Sequence, residues 1–171
     1  MGKLKFILIV FVFILPFFLA NYFYQSNVTD SIGTSNYGNF LNQEIFLEEH
    51  VSNQNNNWII LQLLPTKCNE NCEQTTYLLR QINIALGKDM DRVKRHILFK
   101  NNDVNETKYL NNYPKVIVLR KSETLYNTLA KMSETIFIVD PFGRIILGYN
   151  SDLNGKMLLK DLKKLLKYSK I

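Results

Sequence analysis

Cys68 and Cys72 are the only cysteines among the 171 residues, and three residues separate them in Cys68-Asn69-Glu70-Asn71-Cys72. Thiols placed this way can bridge to each other, share a metal ion, or stay reduced. As thiolates they are soft ligands, suited most naturally to Cu(I). As a redox pair they cycle between dithiol and disulfide, and a thiol at the start of a helix is acidified by the helix dipole. Lys67 adds to that effect, while Glu70 and Glu73 oppose it. The plain alternative is a static disulfide or a buried thiol pair. The Cys-x-x-x-Cys spacing differs from the two-residue spacing of ordinary dithiol oxidoreductases, so the surroundings of the pair must decide its use.

Other chemistry is sparse. His50 lies in an acidic stretch and His96 between Arg95 and Ile97, and both read as surface or structural histidines. Two cysteines with two scattered histidines lack the spacing of a zinc site. No Ser-His-Asp set, phosphate-cradling glycine loop or paired-carboxylate site is evident. The net charge of +6 is carried largely by the C-terminal segment. It lacks the basic face with stacking aromatics that nucleic-acid binding needs.

The elements that must position the thiols are legible. Trp58 to Leu64 is a near-continuous apolar run, the pattern of a strand buried on both faces. Pro65 and Thr66 end it. A helix over Cys72 to Leu86 follows, with Leu78, Ile82 and Ala85 at helical spacing and Gly87 as its stop. If that helix begins nearer Asn69, both thiols share one face, because i and i+4 neighbours lie about 5–6 Å apart. That is close to the separation a disulfide requires.

Asp91 to Phe99 climbs into a second strand, Asn105 to Tyr113 reads as a short helix or loop, and Val116 to Leu119 as a third strand. Ser122-Glu123-Thr124 could cap a helix to Met132, with Leu125 and Leu129 inward. Thr135 to Val139 and Arg144 to Tyr149 form a hairpin around the turn Asp140-Pro141-Phe142-Gly143. Gly155 to Lys170 closes the chain as an amphipathic helix. Its lysine face is a solvated surface, or one that meets anionic headgroups or an acidic partner. A β-α-β unit, a β-hairpin and a packing helix make an α/β domain on the thioredoxin-like plan, a central mixed sheet flanked by helices.

The N-terminus has another purpose. Phe6 to Ala20 is apolar throughout, Lys3 and Lys5 precede it, and no Lys or Arg follows as far as Asp30. Such a run approaches the length of a membrane span, and the positive-inside rule puts its N-terminus in the cytoplasm. A cleaved signal peptide is the competing reading, but a cut after Ala20 would set Phe18 where a small residue is wanted. The expected organisation is a transmembrane signal anchor over 1–24, a flexible linker over 25–39 and a thioredoxin-like domain over 40–171. The domain would then lie outside the cytoplasm.

Several stretches together resemble a known family. They are Trp58 through Cys72, Leu79-Arg80-Gln81 with Ala85-Leu86-Gly87-Lys88, Asp91-Arg92-Val93, Val139-Asp140-Pro141-Phe142-Gly143, and the ending Lys160 to Ser169. They resemble the membrane-anchored thioredoxin-like proteins of proteobacteria associated with cytochrome c oxidase biogenesis, distant relatives of the SCO/SenC copper chaperones. The resemblance implies a single-pass protein of the inner membrane with its domain in the periplasm. Its partners would be a cytochrome c oxidase subunit or other assembly factors. It also implies Cys68 and Cys72 as copper ligands. The third ligand of SCO/SenC proteins is a histidine before the strand that leads into the hairpin, and the matching position falls on or near Met132. A thioether can bind Cu(I), whereas Cu(II) favours imidazole. Two uses follow, Cu(I) delivery or reduction of a partner's copper-site cysteines. The alternative is a non-catalytic scaffold with a static Cys68–Cys72 disulfide.

Overall fold

The structure is a computed structural model and describes residues 2–25, 35–47, 57–100, 111–119 and 123–169. It forms two compact units, residues 1–35 and 36–171.

The first unit contains helix α1, Gly2–Gln25, with Pro16 inside it. Large apolar side chains such as Phe11, Phe13 and Phe17 are exposed. The expected transmembrane helix is not established as a feature of the fold. Among the described residues no helix meets the joint requirement of length and apolarity for crossing a membrane.

The second unit is built on six strands, β1 (Asn39–Phe46), β2 (Trp58–Leu64), β3 (Val93–Phe99), β4 (Val116–Leu119), β5 (Ile136–Val139) and β6 (Arg144–Tyr149). Their order in the sheet is β1-β6-β5-β2-β3-β4. β2, β3 and β4 run parallel, and β5, β6 and β1 add antiparallel neighbours. Helices α2 (Glu70–Ala85), α3 (Glu123–Leu129) and α4 (Gly155–Tyr168) connect and cover them. The mixed sheet flanked by helices is the fold class expected from the sequence.

β2 sits at the centre because every residue in it is apolar except Gln62, and all seven are buried. Alternation sends Trp58 and Ile60 to one face, where Leu79 and Ile82 of α2 meet Leu158, Leu162 and Leu166 of α4. Ile59, Leu61 and Leu63 point to the other face, against Tyr126 and Leu129 of α3 and against Leu47. Burying a side chain of this size contributes about 1.5–3 kcal/mol, which is why a seven-residue apolar run fixes the middle of the sheet.

Three boundaries differ from the sequence reading. α2 begins at Glu70, nearer the early start considered for it, and a short 3-10 segment, Gly87–Arg92, follows Leu86. Gly87 has φ +61, so the helix stops where only glycine turns left-handed without strain. α3 ends at Leu129, three residues short of Met132. Phe40 to His50 reads in the sequence as a short strand or a turn-rich entry, and its part as far as Phe46 lies within β1 and pairs with β6. The Asn105 to Tyr113 expectation falls mostly outside the described residues, as do His50 and Lys170.

Candidate functional site: a disulfide at the head of α2

The site follows from how β2 ends. Pro65 offers no backbone donor and stops the ladder. The chain turns through Thr66 and Lys67, and Asn69 then caps α2. Its backbone is extended, and its side-chain oxygen accepts from the Cys72 N–H at 3.0 Å. The Glu73 N–H donates to the Asn69 carbonyl at 3.1 Å. Asparagine is among the best residues for this capping role. Glu70 and Glu73 occupy the first turn, where the helix dipole favours negative charge.

This geometry joins Cys68 and Cys72 as a disulfide with a Cα–Cα distance of 5.4 Å. Cys68 lies just before the cap and Cys72 in the first turn, so the helix start sets their separation. Both side chains are half-buried. They pack on Leu64, Ile97 and Val116, with Phe99 and Tyr113 alongside. The pair therefore rests on the α2 side of the sheet, at the C-terminal ends of β2 and β3.

Cys72 is held firmly. Its carbonyl accepts from Thr76 Oγ1 at 3.0 Å and from Gln62 Nε2 at 3.5 Å. Thr75 Oγ1 donates to the Asn71 carbonyl at 2.8 Å and approaches the Ser151 carbonyl at 3.3 Å, linking α2 to the loop after β6. Further along β3 on the same face, Arg95 is buried and donates from Nη2 to the Pro114 carbonyl at 2.9 Å. Burial, and then the nearby Arg80 charge, lower its pKa from the usual arginine value.

A cavity of about 210 Å³ opens beside Cys72. Gln62, Asn69, Asn71, Thr135 and Ser151 are among the residues that line it. Thr135 comes from the segment that enters β5. Its carbonyl accepts from the Leu63 N–H at 2.8 Å, and its own N–H donates to the Tyr149 carbonyl at 2.9 Å. Its hydroxyl is buried with no hydrogen-bond partner among the described residues.

Of the residues singled out by sequence, the structure brings Cys68 and Cys72 together and leaves Met132 apart. Met132 packs with the α3-side cluster on the other face of the sheet. It lines a separate cavity of about 550 Å³ with Phe40, Leu41 and Thr128. His96 is buried within β3. Among the described residues no group of three or more His, Cys, Asp or Glu side chains is placed to hold a metal ion. As a site for copper cargo, the donor set is two sulfurs. When reduced, these suit Cu(I) in two-coordinate form. The residues missed by sequence are Gln62 and Thr135. Gln62 left a signal, a single polar side chain in an otherwise apolar strand. Thr135 left none beyond its place before a strand.

Comparison with known proteins agrees with this architecture. No curated protein matches the chain at a significant level. Among solved structures, apo Sco1 from Thermus thermophilus superposes with a TM-score of 0.58 at 17% identity, covering 78% of this chain and 99% of that one. Yeast Sco1 with copper bound gives 0.56 at 12% identity, covering 69% and 80%. BsSco, described as a member of the Sco family of cytochrome c oxidase assembly proteins with a disulfide switch, gives 0.55 at 14% identity, covering 80% and 99%. At these identities the likeness is one of fold. The family described as "Transmembrane-like, thioredoxin-like, C-terminal domain" matches residues 58–169, from the first residue of β2 to the end of α4. With the sheet order and the thiol pair at the head of α2, this match shows that the chain belongs to that thioredoxin-like family.

Proposed function

We propose that the chain is a membrane-anchored, extracytoplasmic assembly factor for a respiratory terminal oxidase, acting by thiol–disulfide exchange through Cys68 and Cys72. The observation that carries this reading is the disulfide itself. The chain's two cysteines meet each other, half-buried, at the capped start of α2 and beside a polar cavity. A strand-loop-helix junction of this kind presents one sulfur to an incoming group while the fold holds the other within reach. Reduction of oxidised cysteines in a partner's copper site needs nothing more than this pair and an external electron source. The Sco structures named above, one with copper bound and one described as an oxidase assembly protein, support the oxidase setting.

The anchor is supported by the run Phe6 to Ala20, which contains no charged residue, and by Lys3 and Lys5 before it. A helix in water cannot offset so much exposed apolar surface. Removing residues 1–25 is expected to release the protein from membranes.

Cu(I) delivery is the second reading, favoured by the 5.4 Å Cα–Cα separation of two soft ligands. Copper would be cargo on the reduced pair.

The test is covalent capture in the native membrane. One of the single variants Cys68→Ser and Cys72→Ser is expected to accumulate a mixed disulfide with an oxidase subunit, visible on a non-reducing gel and absent from the double variant. A double variant that leaves oxidase assembly intact, with no adduct in either single variant, contradicts the exchange reading. Tight one-to-one Cu(I) binding without any such adduct favours delivery.

A further inference from the structure

We propose that the groove at the opposite end of β2 from the disulfide docks a partner peptide whose large apolar side chains are flanked by acidic residues. This surface takes no part in the exchange reading, and the inference is independent of it.

The groove lies where the turn between β5 and β6, the start of β1 and the end of α4 meet the first residue of β2. Its volume is about 550 Å³, and Trp58, Leu147 and Leu165 line it together with Phe40, Phe142 and Tyr168. That size falls within the roughly 300–1,000 Å³ of pockets that bury most of a ligand. Trp58 and Leu147 are buried, whereas Phe40, Phe142 and Tyr168 are 57, 69 and 71% exposed. The groove therefore has a recessed floor and an aromatic rim. A flat bilayer surface would meet the rim and leave the floor open, while a leucine or phenylalanine side chain reaches it. The floor is also set in place before anything binds. Trp58 Nε1 donates to Ser169 Oγ at 3.3 Å, and Arg92 donates to the Leu166 and Ser169 carbonyls at 3.2 and 2.7 Å, which fixes the end of α4. A preorganised wall loses little freedom when it is filled.

Charge selects the flanks of the peptide. The two acids that line the groove are buried and already bonded within the protein. Asp140 accepts from the N–H groups of Phe142 and Arg144, each at 2.9 Å, and pairs with Arg144 Nε at 3.4 Å. Asp161, the only acid of α4, accepts from Tyr37, Gly38 and Tyr149. The cations stand outward. Lys164 lines the groove, Lys160 lies one turn before it with Nζ 5.6 Å from the centre of the Tyr37 ring, and Lys167 Nζ lies 5.7 Å from the centre of the Tyr168 ring. All three lysines are exposed. They form a basic lip along one side of an apolar groove. The complementary ligand joins apolar anchors to carboxylates, and complementary charge at a rim speeds encounter and suppresses wrong partners. β2 has seven residues, so the groove and the disulfide lie about 20 Å apart along it. A peptide held at the groove leaves the thiol pair uncovered.

The experiment places the full-length chain in phosphatidylcholine vesicles and follows the emission of Trp58, the only tryptophan of the chain. The probe is a tryptophan-free peptide with a central Leu-Phe pair between acidic residues. Versions with lysine flanks, or with Ala-Ala at the centre, are the controls. Fluorescence anisotropy of the same peptides carrying fluorescein gives a second reading. The acidic Leu-Phe peptide is expected to change Trp58 emission saturably and to bind about tenfold or more tightly than either control. Phe142→Ala, at an exposed turn, should weaken it about tenfold. Lys160→Glu combined with Lys164→Glu should weaken it at least as much, and added salt should weaken it too. Lys156→Glu, at the far end of α4, should change it by less than about twofold, because the charge lies more than a Debye length away. Equal binding of the lysine-flanked peptide overturns the inference, as does the absence of binding in both readings. A Trp58 response to phosphatidylglycerol in the vesicles, with none to peptide, overturns it in favour of a lipid surface. A response that grows with protein concentration in the absence of peptide overturns it in favour of a second copy of the chain. Each of these results leaves thiol exchange at Cys68 and Cys72 untouched.

Discussion

Tyr149 Oη donates a 2.8 Å hydrogen bond to Asp161 Oδ2, joining the last strand of the hairpin to the middle of α4. The same carboxylate oxygen accepts from the backbone N–H groups of Tyr37 at 2.8 Å and Gly38 at 3.1 Å. Three donors thus hold a buried acid where β1, β6 and α4 meet. Gly38 is required there because a Cβ would run into the Tyr149 ring.

Burial is the main cause that pushes the Tyr149 hydroxyl far above the usual tyrosine range, with the hydrogen bond to Asp161 and that carboxylate's charge adding to it. A pKa raised in the folded state gives stability that is complete below the unfolded value and declines as pH rises above it. Urea denaturation is expected to show stability falling above about pH 10. Tyr149→Phe should lower stability by about 1.5–3 kcal/mol at neutral pH, the usual effect of a hydrogen bond to a charged group. The same variant should flatten the alkaline decline.

The Asn69 cap predicts a second outcome. Asn69→Ala should cost about 1 kcal/mol, while Asn69→Asp should be nearly neutral. Because the cap bonds the Cys72 N–H, the alanine variant should also exchange thiols faster. Urea denaturation and the exchange rate, measured on the same preparations, check both parts.

Met132 separates packing from ligation. It lies against the α3-side cluster, on the sheet face away from the disulfide. Met132→Ala is therefore expected to cost about 2 kcal/mol or less, the lower end of the range for methionine truncation, because the side chain is only partly buried. The same change should leave Cu(I) affinity of the reduced protein unchanged under a competing chelator. A drop in affinity would make it a ligand.

Most of the frame around the site could be read from the chain. The apolar run of β2, the Asp140–Gly143 turn and the leucine stripe of α4 each carry a local pattern that their burial explains. The closeness of Cys68 and Cys72 follows from helical spacing once the helix starts at Glu70. What escaped the sequence depends on contacts between distant residues. Asp161 looked like one more polar position on an amphipathic helix, yet it is buried by partners more than a hundred residues away at Tyr37 and Gly38. Thr135 joins Cys72 at one cavity only because β5 pairs with β2. Met132 was placed near the site by counting along the chain, but the turn after α3 carries it to the opposite face of the sheet.

The disulfide closes a small ring, which limits what it can add to stability. The chain-entropy relation gives roughly 2 kcal/mol for a loop of about five residues. Reduction should lower the melting temperature by only about 4–8 °C, leaving the fold intact. Calorimetry with and without reductant checks this. A protein that stays folded in both states can use the pair for chemistry.

The most direct test of the account is the midpoint potential of the Cys68–Cys72 pair in the full-length chain, measured by equilibration in thiol redox buffers and alkylation of the free thiols. The account predicts a single reversible two-electron transition at a potential above about −300 mV, within reach of cellular dithiol donors. A disulfide that resists reduction until well below that potential would be a static structural bond, and it would contradict thiol exchange as the function of this site.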